Sequence, residues 1–278
     1  MWIAEDIKEW WYAEGKKTYS DKAIEILLMV KALYGLPLRN TEGFVASVFK
    51  LVGIVLKIPD YSTVSRRAET MTVVLKKMAK ENVHFILDST GGKVYGEGEW
   101  KVRKHGWSKR RTWKKIHLGI DSDGEIRAVE VTDHTTHDGT VIDDILKQED
   151  AQITDFYGDG AYDIFGVYSV LQDYQVTGFH IPPQKNAKIK VHGNRKLPPW
   201  PRDENLRAIR TSGRKRWKET SGYHTRSLGE TVMSRFKSSF GHRLHFRTHS
   251  AQTAEVMTKA NILNAFYLLG MPESVAIP

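Results

Sequence analysis

Two apolar runs that each end in an acid constrain this chain more than any other feature. Val83-His-Phe-Ile-Leu87 runs into Asp88, and Ile153–Tyr157 delivers Asp159 at its tip. Short runs of branched and aromatic residues fit buried strands. Lys93–Tyr95, Arg111–Asp121 and Glu125–Thr132 read as further strands, the last two joined by an Asp123-Gly124 hairpin turn. Asp138–Lys147 and Ile164–Tyr174 read as helices, and Val176–Ile181 as a strand. This order predicts an α/β sandwich built on a mixed five-stranded sheet flanked by helices.

A third acid lies in a patterned segment, Tyr223 to Lys237. Wound as one helix at about 100° per residue, it brings Tyr223, Arg226, Glu230 and Lys237 within an arc of roughly 60°. Such a stripe is ordinarily a solvated face laced with i,i+4 ion pairs. The isolated acids at Asp88 and Asp159 turn the argument toward chemistry. If the fold brings the three carboxylates together, their repulsion raises their pKa values or recruits a divalent cation. All-oxygen ligands favour Mg2+ or Mn2+, and the absence of cysteine excludes disulfides and thiolate zinc sites.

The formal net charge of +9 points to a polyanion partner. One basic stretch, residues 101–115, includes Lys109, Arg110, Arg111, Lys114 and Lys115, interleaved with Trp107 and Trp113. A second runs from Lys185 to Lys218 within a turn-rich insertion at about 183–222, which holds a helix near Glu204–Ser212. Both can track a phosphate backbone. No apolar run is long enough to span a bilayer, so the cytosol is the default compartment.

The first 78 residues read as a small all-helical region, and 79–278 as the α/β domain ending in a helix over Ser250–Gly270. Ser20 caps a first helix that Gly35 and Pro37 end. Thr41 starts a second, with Phe44, Val45, Val48, Phe49 and Val52 on one face. Ser62 starts a third, whose first turns present Thr63, Ser65, Arg66 and Arg67. Three short helices of this kind fit a helix-turn-helix-like DNA-binding unit or a plain helical cap.

The blocks Leu-Asp-Ser-Thr-Gly (87–91), Tyr-Gly-Asp-Gly-Ala-Tyr-Asp (157–163) and Tyr-x2-Arg-x3-Glu-x6-Lys, in that order, resemble the catalytic blocks of bacterial insertion-sequence transposases of the DDE type. The similarity runs from about Ser20 to Gly270. It implies a ribonuclease-H-like fold with Asp88, Asp159 and Glu230 as catalytic acids holding two Mg2+ or Mn2+ ions. The implied reaction is in-line cleavage at the element's ends, then joining of the 3′-hydroxyls to target DNA. Double-stranded DNA, as terminal inverted repeats and target, is the implied partner, bound by a homodimer. Tyr223, Arg226, Lys237, Arg66, Arg67, Lys109, Arg110 and Arg111 are the expected DNA contacts.

Two other functions compete: a ribonuclease-H-like nuclease or resolvase that does not join, and an element-derived DNA-binding protein without catalysis. Individual residues carry alternatives too. Tyr223 either meets the DNA terminus or packs on the sheet, and Trp107 and Trp113 either stack on bases or pack. Asp121, Asp123, Asp133 and Asp163 read as turn or cap residues.

Overall fold

The computed structural model describes residues 10–11, 18–94, 113–191 and 198–270. Tyr95, Trp107, Lys109, Arg110 and Arg111 lie outside them. The chain forms two compact units, each assembled from separated segments: 1–76, 93–112 and 236–278 in the first, 77–92 and 113–235 in the second.

The first unit opens with α1 (Asp21–Tyr34), capped by the Ser20 side chain and stopped by Gly35 at φ 63°. The second helix, α2 (Leu38–Leu51), begins earlier than expected, with Pro37 as its N-cap. Proline presets the dihedral of an entering chain. Thr41 is therefore inside the helix, fully buried, and donates its hydroxyl to the Pro37 carbonyl. Of the apolar face expected on α2, only Val45 is buried; Phe44 and Val52 are exposed. The third helix, α3 (Tyr61–Thr70), is capped by Asp60, not Ser62. Asp60 accepts from the backbone and hydroxyls of both Ser62 and Thr63, which holds its carboxyl well below the usual range.

In the second unit the sheet order is β3-β2-β1-β4-β5: β1 (Asn82–Val94), β2 (Trp113–Ile120), β3 (Ile126–Asp133), β4 (Gln152–Tyr157) and β5 (Gly178–His180). Strands β2 and β3 are antiparallel, while β4 runs parallel to both β1 and β5. This is the five-stranded ribonuclease-H-like arrangement that the sequence predicts. A 3-10 turn, Asp138–Val141, leads into α4 (Ile142–Leu146), and α5 (Phe165–Asp173) follows β4. Val141, Ile145, Val167 and Leu171 join Phe85, Leu87 and Phe156 in one buried core. Gly119 admits the Phe85 ring, which a Cβ there would meet at 2.1 Å. The free side of β3 is stoppered by Gln148, whose amide accepts from the Val129 N–H and donates to its carbonyl.

The insertion holds two helices where the sequence suggested one: α6 (Pro201–Ser212) and α7 (Arg214–Thr220). Its basic run hides the second, in which Trp217 alone is buried. The expected Tyr223–Lys237 helix is also divided. Tyr223–Arg226 is a 3-10 turn following Gly222 at φ 73°, and α8 (Ser227–Phe240) begins after it.

The chain then returns to the first unit. Lys93 and Val94 pair there with β6 (Arg243–Leu244), and α9 (His249–Leu268) packs on α1 and α3. The C-terminal helix thus shares a core with the N-terminal ones. Glu255 is buried on α9, accepting from the His245 and Phe246 backbone and from Lys259. Burial alone would raise its carboxyl, but the His245 and Lys259 interactions outweigh it and bring it down to about 2. A depressed carboxylate stabilises the fold above its unfolded pKa, and that contribution disappears as pH falls toward the folded value. Thermal melts should therefore show this unit losing stability from about pH 4.5 downward. Glu255→Gln should flatten that acid limb; an unchanged pH dependence would assign it to other carboxylates.

Candidate active site

Asp88 and Asp159 meet through strand register. The last paired couple of β1 and β4 is Ile86 with Tyr157, so Asp88 and Asp159 each lie two residues past it on parallel neighbours. An irregularity between Val83 and His84 sets this phase. Without the extra β4 residue, Asp159 would fall out of step with Asp88 and turn to the opposite face. Contrary to the sequence expectation, Asp88 does not end its strand. β1 continues to Val94, because small residues from Ser89 to Gly92 stay extended, and the Trp113 ring lies 3.0 Å from where a Gly91 Cβ would stand. The Trp113 ring thus covers Gly91 with one side and stays exposed on the other.

Glu230 arrives on α8. Gly229 makes the approach possible: a Cβ there would lie 3.2 Å from Ile86 Cγ2 and 3.4 Å from Asp88 Cβ. A glycine in a charged helical segment, where it costs about 1 kcal/mol against alanine, is the sequence signal that could have revealed this packing. Gly229→Val should push the helix off the strand, lowering stability by about 1–3 kcal/mol. An unchanged melting temperature would show that the helix has room to spare.

Arg226 lies among the acids. Its Nη1 is 2.8 Å from Glu230 Oε1, and its Nη2 is 3.6 Å from Asp88 Oδ2. The first of these is the i,i+4 pair that an ordinary charged stripe would make. Burial raises the Asp88 carboxyl; Arg226 and the Ser89 N–H oppose that rise, while Asp159 and Glu230 add to it. Asp88 therefore feels the charge of both other acids. Asp159 also caps its own turn by accepting from the Ala161 N–H at 2.8 Å.

Tyr223 is half-buried against Trp217, with ring centroids 5.8 Å apart, and the Lys218 ammonium sits 5.2 Å from its ring centre. Burial raises its phenol, and the three acids add to that. Neither Trp217 nor Lys218 stood out in sequence, since both sit inside a basic run. Tyr162 was also missed. Its ring covers Gly158, and its hydroxyl is buried with no partner among the described residues.

Other expected contacts fare differently. Lys237, half-buried, lies on the part of α8 that belongs to the first unit. Arg66 is exposed on α3, within 3.5 Å of the Thr63 hydroxyl. Arg67 is buried, donating to the Tyr19 carbonyl and paired with Asp21, so its guanidinium serves the packing of the helices and not a DNA surface. Lys114 and Lys115 pair with Asp133 and Asp138. Asp163 is the expected cap, closing the 3-10 turn Gly160–Tyr162, but its buried carboxylate also holds Arg202.

Three carboxylates, one with its pKa raised by burial and like charge, match the donor set of a hard divalent cation. Among the described residues no three acidic or histidine side chains are gathered tightly enough to enclose an ion as they stand. Glu230, with its side chain 63% exposed, has freedom to move.

Two family models described as transposase DDE domain match the sequence, one over residues 1–97 and one over 79–265. The second spans more than half of the chain, which therefore belongs to the DDE transposase family. DNA is the partner that membership implies. Among the described residues no helix is long and apolar enough to cross a membrane.

Proposed function

We propose that this chain is an insertion-element transposase that cleaves DNA at the element's ends and joins the 3′-hydroxyls to target DNA. The observation that carries the proposal is the register placing Asp88 beside Asp159, with Glu230 brought up by the Gly229 approach. Those three acids would hold Mg2+ or Mn2+ ions, which when bound activate the attacking hydroxyl and stabilise the leaving oxygen. Burial of Asp88 and the packing of α8 hold the backbone positions of the ligands, while the exposed Glu230 side chain completes the set as ions load. Arg226 and Tyr223 hold the DNA terminus through a phosphate contact and stacking, and Lys237 is a separate phosphate contact. Exposed Arg210, Lys215 and Arg216 on α6 and α7 extend the basic surface beside Tyr223. Lys109, Arg110 and Arg111 add backbone contacts, and Arg66 is the DNA contact of the N-terminal helices. A homodimer pairs the two element ends.

The test is cleavage and joining of labelled inverted-repeat ends in Mg2+ or Mn2+, with Ca2+ as the non-supporting ion. Joined product is the expected result. Cleavage without joining identifies a nuclease, and binding without either identifies a silent DNA-binding protein.

A further inference from the structure

The cation among these acids is one the chain supplies itself. A single guanidinium spans Glu230 at 2.8 Å and Asp88 at 3.6 Å, and its side chain is only 18% exposed. Its Nε is buried with no acceptor among the described residues, so the group is held for its charge more than for a full set of hydrogen bonds. Tyr162, next to the Asp159 turn, is 1% exposed and its hydroxyl has no partner among the described residues; it lies in the field of Asp138 first, then of Asp159 and Asp88. Those acids therefore border a buried donor as well as a buried cation. A guanidinium hydrogen-bonded to Glu230 and ion-paired with Asp88 occupies the side of these carboxylates that a divalent ion would need, and it is not free for a phosphate.

We infer that Arg226 is an exchangeable counter-ion, which neutralises Asp88 and Glu230 in the DNA-free chain and leaves for a DNA phosphate as divalent ions load. The inference rests on the metal-dependent function proposed above. Its consequence is thermodynamic. Ion and guanidinium compete for the same oxygens, while DNA draws the guanidinium away. DNA and divalent ions must then strengthen each other's binding by the same factor. Turnover is thereby withheld until a DNA end is in place. Glu230, mostly exposed and tethered through Arg226, is the acid that swings when the pair opens.

Free Mn2+ measured by electron paramagnetic resonance tests this directly, using wild type, Arg226→Ala, Arg226→Lys and Asp88→Asn. Each is titrated alone and with a short duplex, against a duplex-only reference. Without DNA, Arg226→Ala should bind Mn2+ about five- to tenfold more tightly than wild type. DNA should tighten Mn2+ binding at least about fivefold for wild type and leave Arg226→Ala unchanged. Arg226→Lys keeps the charge, loses the fork and should fall between; it decides the matter if the alanine variant melts early. Equal or weaker Mn2+ binding by Arg226→Ala without DNA overturns the inference while leaving the metal site intact. Wild-type binding that is undetectable, or indifferent to Asp88→Asn, overturns the metal-dependent function and the inference with it.

Discussion

Asp88→Asn, Asp159→Asn and Glu230→Gln should each reduce end cleavage and joining by at least about a thousandfold while leaving DNA binding in place. Each change removes ligand charge and hardly alters shape. Ligation of divalent ions supplies several kcal/mol of transition-state stabilisation, and about 4 kcal/mol corresponds to that factor. The fold should tolerate these changes. Asp88 has its carboxyl raised by burial, so the ionised form costs stability at neutral pH. Asp88→Asn should accordingly melt no lower than wild type. Ca2+, tolerant of irregular coordination, should support DNA binding without turnover. Asp173→Asn, at the exposed end of α5, is the control and should behave as wild type. Near-normal joining by Glu230→Gln would remove α8 from the catalytic machinery.

The architecture was largely legible because its signals are local. Apolar runs gave strands, Ser20 and Gly35 bounded a helix, and Asp123-Gly124 marked the hairpin. Asp88 and Asp159 drew notice as isolated charges at the ends of apolar runs, and Glu230 through the spacing of a charged segment. What stayed hidden depends on contacts between distant segments. Pairing extends β1 past Asp88, and the register irregularity that aligns Asp159 leaves no composition signal. Arg66 and Arg67 are neighbours of one residue type, yet only the fold shows that Arg67 faces Asp21. Trp217 and Gly229 act through packing partners that sequence periodicity does not name.

Asp163 shows the same limit and leads to the second large effect. In sequence it is one more acid beside Asp159, and its substitution would look harmless. In the fold its carboxylate is fully buried, accepting from Arg202 Nε at 2.6 Å and Nη2 at 2.9 Å, the Gln184 N–H at 2.8 Å and the Tyr168 hydroxyl. Arg202 in turn donates to the Lys188 carbonyl and lies over the Phe165 ring. One carboxylate thus anchors the entry to the basic insertion. Asp163→Asn sets an amide N–H against donors and leaves a buried guanidinium without its countercharge. Breaking one side of such a pair costs about 3–5 kcal/mol. Replacing both partners, as in Asp163→Asn with Arg202→Met, should recover part of that loss, because no buried charge is stranded. Denaturant unfolding of wild type, the two single variants and the double variant measures this. Cleavage should decline only as the folded fraction does, the reverse of the pattern expected at Asp88. An Asp163→Asn midpoint equal to wild type would mean that the insertion is anchored by Asp203 and the aromatic packing around Trp200 alone.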